Sequence, residues 1–470
     1  MNKVQRTERV VRIKISNVPG AFGKIANVIG QNEGNLGDIK LVRMGKKYVT
    51  RDITVYTKNL LYFNKIIEEI GQIQGIKVIN HFDNILREHE GGLIEVKSKV
   101  KIDNVEKYEK YYMPGMSAIA KSINEDRDKI YDYTNIGNTI GLISNGSTML
   151  DFDDPNEEAT YSVLESRAAV INELTNISAI PIVLSTKDKD SIVKTIKNIY
   201  KSFGMIIFED LNSEDSFTIE SELSELGIPV VDTNKTCNGI VTLAGLINIS
   251  ELNSVDLSKS KVGFLGYGSK ASGINMLLKA YGIKERIGFD IREYSKKRMQ
   301  VENIEIKNSI NELMEEADIV IATSRKAGLI KFGMVKKGQI LIMLSKPKPE
   351  IEPEIAIKAG ARYATDGKII SPLLVIPGLV KGCLLSRAKK LTFNMMLAAA
   401  EKLADLAVED SVLPGIFDKG IHEEVCNVVR QAAIEDGVAC LEEIDIEDEV
   451  PKDIEDIFES IKGMDLWTEA

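Results

Sequence analysis

Apolar and basic residues alternate along Arg9–Ser16 (RVVRIKIS), the period of a half-buried strand. Asn17-Val-Pro-Gly20 supplies a turn, and Ala21–Gln31 (AFGKIANVIGQ) then carries apolar residues at helical spacing. A stretch rich in Asn and Gly (Asn32, Gly34, Asn35, Gly37) reads as a loop leading to a strand at Ile39–Arg43. Thr50–Tyr56 predicts a third strand, Phe63–Ile70 a helix and Gly75–Asn80 a fourth strand. Over residues 1–90 the order is strand, helix, strand, strand, helix, strand, that of the ferredoxin-like split unit.

Gly91 and Gly92 read as a linker. In residues 91–242 the pattern changes to helices mixed with short, continuously apolar strands. These are Ser178–Thr186, Gly204–Asp210 (GMIIFED) and Gly227–Asp232 (GIPVVD). Acids at the carboxyl ends of parallel strands are where α/β sites collect. In residues 243–470 an apolar strand, KVGFLGYG, runs into Gly266-Tyr267-Gly268-Ser269-Lys270-Ala271 and a helix at Ile274–Tyr281. A second strand, Arg286–Asp290, ends in an acid 24 residues after Gly266. This is GxGxxA in full Rossmann context. Gly266 makes the tight turn, and Gly268 lets a pyrophosphate approach the helix N-terminus. Ala271 permits helix–strand packing, and Asp290 can accept from a ribose hydroxyl. The acid favours NAD, while Arg292 leaves NADP open. Further strands are expected at Ala317–Thr323 and Gln339–Leu344, and a helix at Lys390–Glu409. Glu442–Glu459 reads as solvated surface or a partly ordered tail.

Composition narrows the function classes. A chain of 470 residues suggests about three domains. The net charge of -10, from 60 Lys+Arg against 70 Asp+Glu, argues against a nucleic-acid partner. Cys237, Cys383, Cys426 and Cys440 show no CxxC spacing and read as free thiols of a reducing compartment. With three histidines, a multi-His metal centre or a His-based triad is not expected. The charged start lacks the apolar stretch of a signal peptide, and no window is long and apolar enough to span a bilayer. The cytoplasm, with no membrane partner, is the expectation.

Two resemblances follow from these motifs. The run IKISNVPGAFGKIANVI resembles the opening of an ACT domain, which implies an amino-acid effector at the Pro19–Gly20 turn. A plain strand-to-helix turn is the alternative. Residues 91–435 resemble malic enzyme, through YMPGMSAIA, YTNIGN, IIFEDL, IPVVDTN, GIVTLAGLIN, the Rossmann loop, SKPKPEI and VIPGLVKGCL. The whole chain thus resembles the bacterial ACT-containing type. The implied fold is a multidomain α/β protein with three parts. An ACT-like domain spans 1–90, a substrate and metal domain 91–242, and a Rossmann domain with C-terminal helices 243–470. The implied activity is NAD-dependent oxidation, with decarboxylation, of malate or a related 2-hydroxy acid, and the implied partner is a small hydroxy acid or ketoacid. A divalent Mg or Mn ion and a homo-oligomer come with it.

The same resemblance assigns roles. Tyr112 matches the general acid. The base, a lysine in the family, falls on Arg167, which is effectively always protonated. Glu209 and Asp210 match two metal ligands, and the third, an aspartate in the family, falls on Asn234. An asparagine that anchors substrate falls on Lys346, and another falls in Ser371-Pro372-Leu373. A glycine-rich loop has become Asp151-Phe152-Asp153-Asp154. One reading is an active oxidoreductase in which desolvated Lys346 or Lys235 replaces the base. A second is a catalytically impaired homologue acting as a ligand- and NAD-binding regulator. A weaker third is a ketoacid decarboxylase.

Overall fold

The computed structural model describes residues 7–148, 156–408 and 411–441 and divides into two compact units, Met1–Glu95 and Val96–Ala470. Asp151–Asp154 and Glu442–Glu459 lie outside the described residues. No helix among the described residues is long and apolar enough to cross a membrane.

In the first unit, β1 (Thr7–Ser16), β2 (Asn35–Met44), β3 (Tyr48–Thr57) and β4 (Ile76–Phe82) form an antiparallel sheet in the order β2-β3-β1-β4. Helices Ala21–Gln31 and Leu60–Gly71 supply the crossovers. The period-two pattern of β1 sends Val11, Ile13 and Ile15 into a core with Ile25, Phe63 and Ile66 of the helices. On the other face Arg12 grips Asp52 across the β1–β3 pair with two hydrogen bonds of 2.7 and 2.8 Å. Asn59 caps the second helix by accepting from the Leu61 and Tyr62 N–H groups. The expected loop over Asn35 and Gly37 is instead the start of β2. Its register shifts between Leu36 and Ile39, and a Cβ on Gly37 would lie 2.6 Å from the Tyr56 ring. Glycine marks close cross-strand approach here, not a turn.

The second unit holds two parallel sheets. The smaller, ordered β6-β5-β7-β8, comprises β5 (Thr139–Ser144), β6 (Ser178–Val183), β7 (Met205–Phe208) and β8 (Val230–Asp232). The larger runs β11-β10-β9-β12-β13-β14. Its strands are β9 (Val262–Leu265), β10 (Arg286–Phe289), β11 (Glu305–Ile306), β12 (Ile319–Ala322), β13 (Ile340–Met343) and β14 (Tyr363–Asp366). That order is doubly wound, with its switch point between β9 and β12. Helix Thr236–Leu252, mainly apolar and buried over Thr236–Leu246, joins the sheets, so a division at 242/243 falls inside a helix. It meets helix Ser269–Tyr281 backbone to backbone. A Cβ on Gly273 would lie 1.9 Å from the Lys235 carbonyl oxygen, and one on Gly239 2.8 Å from that of Gly273. The helix expected at Lys390–Glu409 runs over Phe393–Asp405, opened by the Thr392 hydroxyl accepting from Met395 N–H.

Candidate active site

A cavity of about 490 Å³ opens beyond the carboxyl ends of β9, β12 and β13, with Asp210 and Asn234 from the smaller sheet's side on its wall. This is the crevice an open α/β sheet offers at its switch point.

The glycine loop forms one wall. Gly266 has φ +86, and a Cβ on it would come 2.8 Å from Ser324 Cα and 2.9 Å from Ser324 N. No L side chain fits that turn. Gly268 is the N-cap of helix Ser269–Tyr281 and makes no side-chain cap, so the first-turn N–H groups are left for an anion. Gly268, Ser269 and Lys270 line the cavity, while Ala271 is fully buried behind them. The helix begins at Ser269, a turn earlier than the apolar spacing suggests.

Asp290 follows β10 and is buried. Its Oδ2 accepts from Tyr267 N at 2.7 Å and from an Arg292 terminal nitrogen at 2.8 Å. Its Oδ1 accepts from Arg292 N at 2.9 Å and Nε at 3.1 Å. Burial raises this carboxyl, but the hydrogen bonds from Arg292 and Tyr267 outweigh it and the net shift is downward. The cradle, the uncapped helix start and the ionised acid fit a dinucleotide.

Across the cavity the strand ends early. Asp210 has φ +51, which breaks the extended run of β7 and turns its carboxylate to the cavity wall. Asn234 Nδ2 donates to Asp210 Oδ1 at 3.1 Å. Glu209 lies behind, 1% exposed, with Arg167 (25% exposed) 2.7 Å from its Oε2. Burial pushes the Glu209 carboxyl up to about 7, opposed by the Arg167 charge and reinforced by Asp210. Asp232 is buried and accepts from Ser216 Oγ, from Asn234 N at 2.8 Å and from Ser269 Oγ at 3.3 Å. Burial, then Glu220, pushes its carboxyl up to about 6.

These residues do not fit a divalent cation. Arg167 lies against Glu209 as an ion pair although Glu209 Oε2 accepts no hydrogen bond, Asn234 turns its amide donor to Asp210, and Asp232 already accepts from three donors. Among the described residues no group of three or more His, Cys, Asp or Glu is placed to hold a metal.

Buried Glu350 ties together the loops after β12 and β13. Its Oε1 accepts from Ser324 N at 2.8 Å, Ser324 Oγ at 2.7 Å and Ser345 Oγ at 2.5 Å, and Ser345 Oγ accepts from Arg325 N at 2.8 Å. The knot sets Arg325 and Lys346 on the cavity wall. Lys235 does not join them: it bonds Glu220 at 2.5 Å and lies over the Phe217 ring. Tyr112 stands apart from the cavity, half-exposed, its ring 5.3 Å from that of Tyr108. Ser371 precedes the short turn Pro372–Leu374, also off the cavity wall. Sequence reasoning passed over Lys270. It occupies a variable position of the glycine motif, and only its half-burial on the wall marks it.

No model of a known protein family matches the chain. Individual relatives do. NAD-dependent malic enzyme 1 of Bacillus subtilis is 36% identical over 428 residues, covering 91% of this chain and 98% of the relative. That match reaches into the 95-residue N-terminal unit. The NAD-dependent malic enzyme of Geobacillus stearothermophilus is 31% identical, covering 91% of this chain and 95% of its own length. Among solved structures, the malic enzyme of Pyrococcus horikoshii superposes with a TM-score of 0.71 at 26% identity, over 76% of this chain and 91% of that one. The NAD-dependent malic enzyme of Thermotoga maritima gives 0.70 at 26%, over 74% and 99%. With these extents of identity and the doubly wound sheet already in place, the chain belongs to the malic enzyme family.

Proposed function

We propose that this protein is an NAD-dependent oxidoreductase that oxidises and decarboxylates malate or a closely related 2-hydroxy acid. The observation that carries the reading is the glycine cradle with its acid, Gly266, Gly268 and Asp290, opening into a cavity lined by Lys270, Arg325 and Lys346. Bound NAD supplies the hydride acceptor. The uncapped start of helix Ser269–Tyr281 receives the pyrophosphate, and Asp290 accepts from a ribose hydroxyl by giving up one of its two Arg292 side-chain bonds. With Arg292 bound to Asp290, NAD is favoured over NADP, since a 2′-phosphate would have to displace that carboxylate. Arg325 and Lys346 draw the substrate's carboxylates and stabilise charge on the ketoacid. Arg167 neutralises Glu209 where a cation would otherwise stand, so the reading needs no Mg or Mn ion. Tyr112, half-exposed and off the cavity wall, is given no part in this chemistry. The relatives favour this oxidoreductase over the regulator reading.

The N-terminal unit is proposed as an ACT-type regulatory domain. Gly20, at φ +80, opens the first helix, and a Cβ there would meet nothing within 4 Å, which leaves room for an amino-acid effector. Val105, Tyr108, Met113 and Met116 are exposed around Tyr112 and support pairing of copies over that stretch. The test is calorimetric NAD titration followed by NADH and CO₂ formation over a panel of hydroxy acids. NAD binding with malate turnover supports the reading. NAD binding without turnover on any hydroxy acid returns the weight to a regulator.

A further inference from the structure

The resemblance leaves the oxidation without a base, because Arg167 cannot give up its proton and lies behind the cavity wall bound to Glu209. Two lysines offered themselves in the sequence. Lys235 is tied to Glu220, and Lys346 stands exposed at the rim. A third lysine sits deeper. Lys270 occupies the first turn of helix Ser269–Tyr281, two residues beyond Gly268, and lines the cavity together with Asp210, Arg325 and Lys346. Its Nζ donates to the Leu344 carbonyl at 3.3 Å, which holds the amine between the β9 and β13 loops.

We propose that Lys270 is the proton acceptor for the substrate hydroxyl, a role that rests on the oxidoreductase reading above. In that step the neutral Nζ forms an N–H bond with the hydroxyl proton. The O–H electron pair becomes the second bond of the new carbonyl. The C2–H bond breaks, and its electron pair leaves with the hydrogen as hydride to the nicotinamide. Substrate is oxidised by two electrons, NAD is reduced by two, and Lys270 ends as ammonium.

The electrostatics agree with the placement. Burial, then the neighbouring Lys346 and Arg325 charges, push the Lys270 amine down to about 8, against the opposing pull of Glu350 and Asp210. These four charged groups reach it from the loops after β12, β13 and β7. A substantial neutral fraction therefore exists near pH 8, and kcat/KM should rise with pH through that region.

Lys270→Ala and Lys270→Arg are to be compared with the wild-type protein for NAD affinity by calorimetry, for malate turnover against pH, and for rescue by added propylamine. A base contributes about 10²–10⁴-fold, so both variants should lose that much kcat while NAD affinity stays within about threefold. The limb near pH 8 should vanish, and propylamine should restore part of the rate in Lys270→Ala alone. The role is overturned if Lys270→Ala keeps its turnover and pH limb, or if Lys270→Arg restores the rate, which would mark a charge contact to phosphate or carboxylate. Wild-type protein inactive on every hydroxy acid overturns the oxidoreductase reading, and this role with it. Wild-type turnover with unaffected variants overturns the role alone.

Discussion

Arg167→Met removes the guanidinium and leaves Glu209 buried with its charge uncompensated. Breaking a buried pair from one side costs about 3–5 kcal/mol, and a quarter-exposed Arg167 places this case near the lower end, about 3 kcal/mol. Glu209 can escape by taking a proton. Burial already lifts its carboxyl from 4.5 to about 7, and Arg167 is the group that holds it down, so the variant lifts it further. A raised carboxyl contributes stability that is fully present below 4.5 and is lost as pH rises through its folded value. Arg167→Met should therefore be mildly affected at about pH 5 and most affected at about pH 8. At about 2–4 °C per kcal/mol for large domains, the loss at the higher pH is a fall in Tm of about 6–12 °C. Scanning calorimetry at the two pH values measures it. Arg167→Met with Glu209→Gln removes both charges and should recover most of the loss. An equal fall at both pH values, or a double variant no more stable than the single, would refute the ion-pair argument.

Gly268→Asp should keep the fold, because the position is an extended N-cap that suits aspartate, yet weaken NAD binding at least about tenfold through charge against the pyrophosphate, read by calorimetry. Asp290→Ser frees Arg292 and should move the NADP-to-NAD ratio of kcat/KM at least about tenfold toward NADP in steady-state kinetics. Gly273→Val drives a side chain into the Lys235 carbonyl, where a Cβ alone would be 1.9 Å away, and should cost about 3 kcal/mol or more in thermal unfolding.

The fold was legible wherever periodicity and turn chemistry agreed. Helix Ala21–Gln31 runs between the residues its apolar spacing indicates, because the Pro19–Gly20 turn fixes its start. Strands buried on both faces, such as β9 and β12, show as apolar runs. Their ends do not, since Asp210 and Asp290 leave the strand through local backbone and hydrogen bonds that hydropathy does not encode. Gly37 misled because glycine in a strand and glycine in a turn look alike in one dimension. In the site, the glycine motif and its acid were readable from spacing. The partners of Arg167 and Lys270 were not. Arg167 lies 42 residues before Glu209, and Lys270 lies 74 before Leu344, so only the folded chain brings each pair together.

The most direct test of a cation-independent oxidoreductase is NADH formation from malate by protein treated with EDTA, then supplied with Mn²⁺. Turnover should persist in EDTA and not rise with Mn²⁺, because Arg167 is paired with Glu209. Turnover absent in EDTA and restored by Mn²⁺ would contradict that expectation.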